Sequence, residues 1–437
     1  MPPCIAFKGR QQPSSLARLN IRGRRLLFVL IAPLLLSACS SFGPRSLQQA
    51  RLDYNETVKS TTEEQLLLNI VRLRYTDTPS SLAISAIAAQ FERSQGIGLV
   101  PFFTAVGGDV GRSSFSAALP QAQILNADRP TFSLTPLDDQ DFTRKLFTPL
   151  PLDAVIYLAK TTWPISTVFR LYLENLNWVP NAQTASGPTP AAAPVFNDFR
   201  RGIEAMQILQ NRGQIVFGLD ERSEPVGGPL PASSVKASDI IEAAKSGFEY
   251  QPDDNGKTWH LIRKSQQPVM RVDPAALNSR EFQTLSQVFK LKPGLEKYDI
   301  TQEALSPFPA SYPRSGVGNL DLETRSMLQA LYFVSHGVDV PAAHLAQGLA
   351  RETFDESGKH FDWNQITTDL FTVRHQSGGD RPATARVAIP YRGYWFYIDE
   401  TDQQTKSTFS LLVELSRLEL NSKTGPGPVL TLPVGAR

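Results

Sequence analysis

Cysteine is almost missing from this chain: two of its 437 residues are Cys, at positions 4 and 39. That excludes a disulfide-stapled scaffold and a Cys-based zinc or redox centre. Long apolar runs are equally scarce, and beyond residue 36 none approaches the roughly 20 residues that cross a bilayer core as a helix. Histidine occurs five times (His260, His336, His344, His360, His375), never as H-E-x-x-H or H-x-E. No Walker A or G-x-S-x-G sequence is present, and Gly96-Ile97-Gly98 lacks the third glycine of a dinucleotide fingerprint. The expectation is therefore no cofactor and no metal site. Acidic residues are missing before Leu26, where six basic ones lie (Lys8, Arg10, Arg18, Arg22, Arg24, Arg25). The formal charge of +2 is thus a property of the leader: without those six, 38 basic residues face 42 acidic ones, a balance of −4. Nothing in that balance points to nucleic acid.

What is present begins with an address. Arg22 to Arg25 precede the unbroken apolar run Leu26–Leu36, the order of a positively charged n-region and an h-region too short to span. Leu36-Ser37-Ala38-Cys39 then fits the bacterial lipobox, which makes Cys39 the expected site of lipid attachment (diacylglycerol, then an amide-linked acyl chain such as palmitate) and residues 1–38 a cleaved signal peptide. Several acyl chains at roughly 0.8 kcal/mol per buried CH₂ would hold the chain to a membrane essentially permanently. Ser40 and Ser41, with no Asp after the Cys, favour the outer membrane, periplasmic face.

Residues 39–60 read as the lipidated Cys and a polar tether. Thr61 and Glu64 have capping-box spacing, and Leu66, Leu67, Ile70, Val71 and Leu73 mark one face of a helix ending at Tyr75. Residues 81–136 have strand texture, with Gln123–Leu125 and Thr131–Leu134 expected to pair locally. Asp138, Asp139 and Asp141 read as the capped start of a helix and not as a metal site. A helix is expected from Pro164 to Asn177, and the Pro/Ala-rich stretch 180–194 is a linker or loop. Further on come a helix from Asp198, a strand at 214–219, a Pro/Gly loop at 221–234 and a hairpin turning at Asp253-Asp254-Asn255-Gly256. Next are a helix from Asp321 to His336 closed by Gly337, an aromatic hairpin at 385–398, an amphipathic helix at 405–420 and a strand at 429–433. The pattern implies an α+β fold of mixed helices and antiparallel hairpins, with N-terminal (61–179) and C-terminal (195–437) regions around residues 180–194.

Two features could carry function. Ser233-Ser234-Val235-Lys236 is S-x-x-K, and Lys423-Thr424-Gly425 is K-T-G, in the order used by acyl-enzyme hydrolases of the cell wall. Ser233 would be the nucleophile and Lys236 the base, yet Pro426 and Pro428 are poor company for a central strand. The second feature is Tyr391-Arg392-Gly393-Tyr394-Trp395-Phe396-Tyr397. Strand alternation puts Trp395 and Tyr397 on one side beside Arg392, a composition suited to protein or glycan contact.

The lipobox, Glu64 to Tyr75, Arg129-Pro130-Thr131, Thr324-Arg325-Ser326 and Tyr391 to Glu400 together resemble a family of uncharacterised Gram-negative lipoproteins. The resemblance spans most of the chain after Cys39 and implies the same address, with no assigned activity or catalytic residues. The expected function is a lipid-anchored envelope protein that binds or scaffolds an envelope protein or glycan partner and is not an enzyme. The alternatives are a serine acyl-enzyme hydrolase or acyltransferase, or a purely structural outer-membrane protein.

Overall fold

The computed structural model describes residues 42–80, 82–88, 91–105, 113–128, 131–136, 140–302 and 316–420. The expected signal peptide, Cys39, Asp138, Asp139, Lys423 and the strand expected at 429–433 lie outside the described residues. The chain separates into two compact units. One unit contains residues up to Lys59 and Ile87–Phe132; the other, the main body, contains Ser60–Ala86 and Ser133–Val429.

Helix α1 (Phe42–Arg74) begins in the expected tether and passes through Thr61 without a break. Past Pro44 its sequence holds no Gly or Pro and is rich in Leu, Gln, Arg, Glu and Lys, which favour helix. Its last turns bury Leu67, Ile70, Val71 and Leu73. Strands β1 (Leu82–Ala88), β2 (Phe91–Ala105), β3 (Ser113–Asp128) and β4 (Thr131–Pro136) follow. β3 pairs antiparallel with β2 along its whole length, and β4 pairs with β1. The expected local pairing of 123–125 with 131–134 is thus replaced by long-range pairing, with Gly96 opposite Gln123.

In the main body, helices α2 (Gln140–Phe147), α3 (Leu152–Lys160) and α4 (Ile165–Tyr172) lead into strands β5 (Leu173–Leu176) and β6 (Val179–Pro180). The helix expected to reach Asn177 stops at Tyr172, because β5 pairs with a later strand and Asn177 and Trp178 turn the chain at positive φ. Residues 180–194 run through this body as a loop, with Ala182, Ala185 and Thr189 buried. Helix α5 (Asn197–Asn211) precedes strand β7 (Ile215–Pro231), helix α6 (Ala237–Lys245) and strands β8 (Phe248–Pro252) and β9 (Thr258–Val272). β7 continues through the expected loop at 221–234. It accommodates its prolines and glycines by register shifts at Pro225/Gly227 and Gly227/Leu230, as bulged strands do.

Helix α7 (Arg280–Val288), capped by Ser279, is followed by strands β10 (Lys297–Thr301) and β11 (Asn319–Thr324) and helix α8 (Met327–Ser335). The expected 321–336 helix is therefore strand then helix. Ser326 and Gln329 form a capping box that sets where α8 starts, and Leu320 and Leu322 are buried in the sheet. Short helices α9 (Ala342–Ala346) and α10 (Asn364–Thr367) precede strands β12 (Arg374–Ser377), β13 (Ala385–Tyr391) and β14 (Tyr394–Asp399), and α11 (Gln403–Leu420) follows.

Seven strands form one sheet in the order β6-β5-β11-β10-β9-β7, with β8 also paired to β9. The pairs are antiparallel except β10–β11, which is parallel, so the sheet is mixed where hairpins alone were expected. A second, antiparallel sheet has the order β12-β14-β13. The fold is α+β, and its core is a single cluster reaching from Leu67 of α1 to Leu415 of α11. Close packing of α5 on α7 depends on Gly202, where a Cβ would stand 2.4 Å from Phe289 Cε2. Arg325 lies fully buried between β11 and α8. Its Nε donates to Ser186 Oγ (2.8 Å) and its Nη atoms to the carbonyls of Arg170 (2.9 Å), Leu171 (3.2 Å) and Asn181 (2.5 Å). Burial pulls its pKa down to about 9.

Candidate functional site

The site is built where α1 and α8 end. Helix α8 stops at Ser335, with His336 as its C-cap, and Gly337 lies so close to Phe371 O that a Cβ would stand 2.3 Å away. The chain then pairs with the approach to β12: Val373 N–H donates to Gly337 O and Asp339 N–H to Val373 O, both at 2.9 Å. This ladder forms one wall of a cavity of about 570 Å³, within the size range of small-molecule sites. Arg74 from the last turn of α1, Glu352, His360, Trp363 and Arg374 of β12 line the rest of it.

Three groups in this cavity have hydrogen-bonding capacity that the protein does not use. Arg74 is buried and its Nη1 donates to Thr189 Oγ1 (3.1 Å) and Arg351 O (3.0 Å), but its Nε has no partner. Desolvation lowers its pKa to about 10, against the opposing pull of Tyr75 and Glu352. His336 contacts Phe333 O through Nδ1 at 3.4 Å. A carbonyl can only accept, so Nδ1 carries the proton and Nε2 is left as an unpartnered acceptor. Burial, assisted by the charge of Arg74, depresses the imidazole to about 3 and keeps it neutral. Trp363 stacks on that imidazole, ring centroids 3.9 Å apart, and its Nε1–H is likewise unpartnered. Glu352 pairs with His360 (3.4 Å) and Asp339 with His375 (3.0 Å), while Asp362, which also lines the cavity, accepts from the backbone N–H and side-chain amide of Asn364.

The aromatic hairpin adjoins this cavity. Phe396 and Ile398 are buried in the core, while Trp395 and Tyr397 are half-buried on the opposite side of β14. Tyr397 is in register with Arg374, so the aromatic side of the sheet continues to the cavity. Arg392, grouped with them by sequence, is held elsewhere. It pairs with Asp77 (3.0 Å) and lies over the rings of Tyr75 and Tyr391, whose hydroxyl also donates to Asp77. Tyr75 is kept protonated by burial, and its hydroxyl shares a 2.7 Å hydrogen bond with His344 Nδ1.

Ser233 and Lys236 are both exposed in the turn between β7 and α6, and no hydrogen bond joins them. Lys236 instead offers its backbone N–H to Asp239 (3.0 Å). The 253–256 turn closes by backbone bonds, Gly256 N–H to Asp253 O at 2.7 Å. Among the described residues no group of three metal-ligating side chains forms. His336 and His360 nevertheless both line the cavity, and His344 and His375 both pack against Tyr394.

Sequence reasoning did not find Arg74 or Trp363, and it treated His336 only as one of five scattered histidines. One signal was readable: Arg74 follows Ile70 by four residues and Val71 by three, which places a cation on the apolar side of α1. No protein-family model, curated protein or solved structure matches the chain.

Proposed function

We propose that this protein is a lipid-anchored lipoprotein of the Gram-negative outer membrane, facing the periplasm and held by Cys39, that works by binding an envelope component and not by catalysis. The observation that carries the binding reading is the cavity with three unspent polar groups, Arg74 Nε, His336 Nε2 and Trp363 Nε1. The three atoms are shielded from solvent, so a ligand with matching donor and acceptors would reach them only as the cavity wall adjusts to it; the incentive is that each buried group left unmade costs roughly 1–3 kcal/mol. His336, held near 3, is too weak a base at neutral pH to serve as the acid–base group of this cavity. The half-buried Trp395 and Tyr397, reaching the cavity through Arg374, extend the contact area for an envelope protein or glycan.

Two measurements test this reading. Labelled palmitate should enter the wild-type chain and be lost in Cys39→Ala; labelling that persists removes the anchor. Crosslinking and affinity capture from outer membranes should recover a partner whose yield falls about ten-fold in Arg374→Ala or Trp395→Ala, as for loss of an interface anchor. Equal recovery with both variants would mean that the site lies elsewhere.

A further inference from the structure

Among the described residues, the short ladder at the cavity wall has an open outer edge. Val373 N–H donates to Gly337 O and Asp339 N–H to Val373 O, the two bonds of a parallel bridge between Val338 and Val373. Val373 leads into β12, the outermost strand of the order β12-β14-β13, so residues 337–340 add one more short strand outside it. A trans peptide holds its C=O and N–H on opposite sides. Asp339 N–H faces Val373, and Val338 O therefore faces away. Asp339 O contacts Nδ1 of His375 in β12 at 3.1 Å, so Val340 N–H faces away as well. Pro341, next in the chain, favours extended backbone at Val340.

Among the described residues neither Val338 O nor Val340 N–H has a hydrogen-bond partner. Val338 is buried, Val340 is half-buried, and both line the cavity. Together they repeat, one residue further on and facing outward, the acceptor and donor that Gly337 and Asp339 offer to Val373. One residue of a parallel neighbour would use both, its N–H bonding Val338 O and its C=O accepting from Val340 N–H. Addition of a strand to an open edge is a general way of holding peptides, with main-chain bonds supplying affinity and side-chain pockets the choice of sequence.

The charges around the cavity select the side chain. Asp339 and Glu352 face His375 and His360, and Asp362 accepts from Asn364. Arg374 is exposed and, among the described residues, has neither a hydrogen bond nor an ion pair. Resting on the reading of this cavity as a binding site, we propose that its ligand is an extended peptide segment of a partner protein, added parallel to the 338–340 edge with an acidic side chain beside Arg374. Val338 to Val340 at about 3.3 Å per residue give an edge of roughly 10 Å, which suits a short segment.

The test uses the full chain purified in detergent and a phage-displayed library of random short peptides. Enriched peptides, synthesised with blocked ends and measured by fluorescence anisotropy, should share an acidic residue. Methylating their backbone nitrogens one at a time should weaken binding about five-fold or more at the position that meets Val338 O, the ordinary worth of a hydrogen bond, and little at the positions beside it. Val340→Pro, which removes the second donor, should weaken binding to a similar degree, and Val340→Ala should not. The methylation series leaves the protein unaltered, so it decides the matter even if Val340→Pro fails to fold. Arg374→Gln should weaken the acidic peptides about five-fold and leave their amide analogues nearly unchanged. Equal affinity along the methylation series overturns the proposal, because the peptide is then held by side chains alone. If no peptide is enriched while envelope glycan strands stripped of peptide bind and are lost in Arg374→Ala, strand addition is overturned and the binding site stands. If neither probe binds, both fall.

Discussion

At the scale of single residues, the least expected arrangement is the cluster of cations and imidazole held without carboxylate partners. Arg325 is fully buried and discharges its donors onto three backbone carbonyls and a serine, which ties the loop after β6 to the start of α8. Arg74 does the same for the loops at 189 and 351 but keeps one donor in reserve. His336 carries a prediction about pH. Its folded-state pKa of about 3 lies below the ordinary value near 6.5, so below pH 6.5 the unfolded chain takes up a proton that the folded chain refuses. Stability is complete above about 6.5 and should fall by about 1.4 kcal/mol per pH unit on acidification, until the folded imidazole itself protonates near 3. Urea midpoints at pH 7, 6 and 5 check this: His336→Gln should remove that part of the slope, and an identical slope in the variant would contradict it. None of this shows in the sequence, because Arg74 lies 262 residues before His336, and Trp363 lies 27 residues beyond it with no local pattern linking the two. Only the position of Arg74 on the apolar side of α1 gave a hint.

At the scale of elements, the helices with local signals were legible. The 197–211 and 237–245 helices and the hairpins at 248–263 and 385–399 fall close to where periodicity and turn chemistry put them. The misreadings share a cause. Leu173–Leu176 and Asn319–Thr324 look helical in isolation and become strands because they pair with each other across the molecule, a gain that no local window contains. β7 looks broken by Pro225 and Gly227 yet continues because β9 runs beside it and bulges take up the irregularity. The α5–α7 contact gives a second prediction. Gly202→Ala forces a methyl to within 2.4 Å of the Phe289 ring and 2.9 Å of Val288, and overpacking of this kind costs about 1–3 kcal/mol. A chemical-denaturation midpoint equal to wild type would show that Phe289 moves aside freely. Gly187, with nothing within 4 Å of its added Cβ, supplies the control.

At the scale of the whole molecule, the main body encloses one continuous core, while residues 87–132 cluster apart from it. Replacing residues 94–127 by a short Gly/Ser turn should therefore leave the main thermal transition within about 2–4 °C of wild type, a shift of no more than about 1 kcal/mol. Collapse of that transition would mean that the replaced segment belongs to the core. The sequence by itself determined what depends on order and local chemistry: the basic N-terminal stretch, the apolar run and Cys39 that follow it, the absence of any Cys beyond that residue, an α+β alternation, and the turn at 253–256. The tertiary structure alone decided what depends on distance in space. It turned expected helices into strands by pairing them, wove residues 180–194 into the body, drew Arg392 away from Trp395 and Tyr397 onto Asp77, and gathered Arg74, His336 and Trp363 around one cavity. The reason is physical: caps, turns and signal segments are satisfied by neighbours in the chain, whereas a buried donor or a strand edge is satisfied only by whatever the fold brings to it.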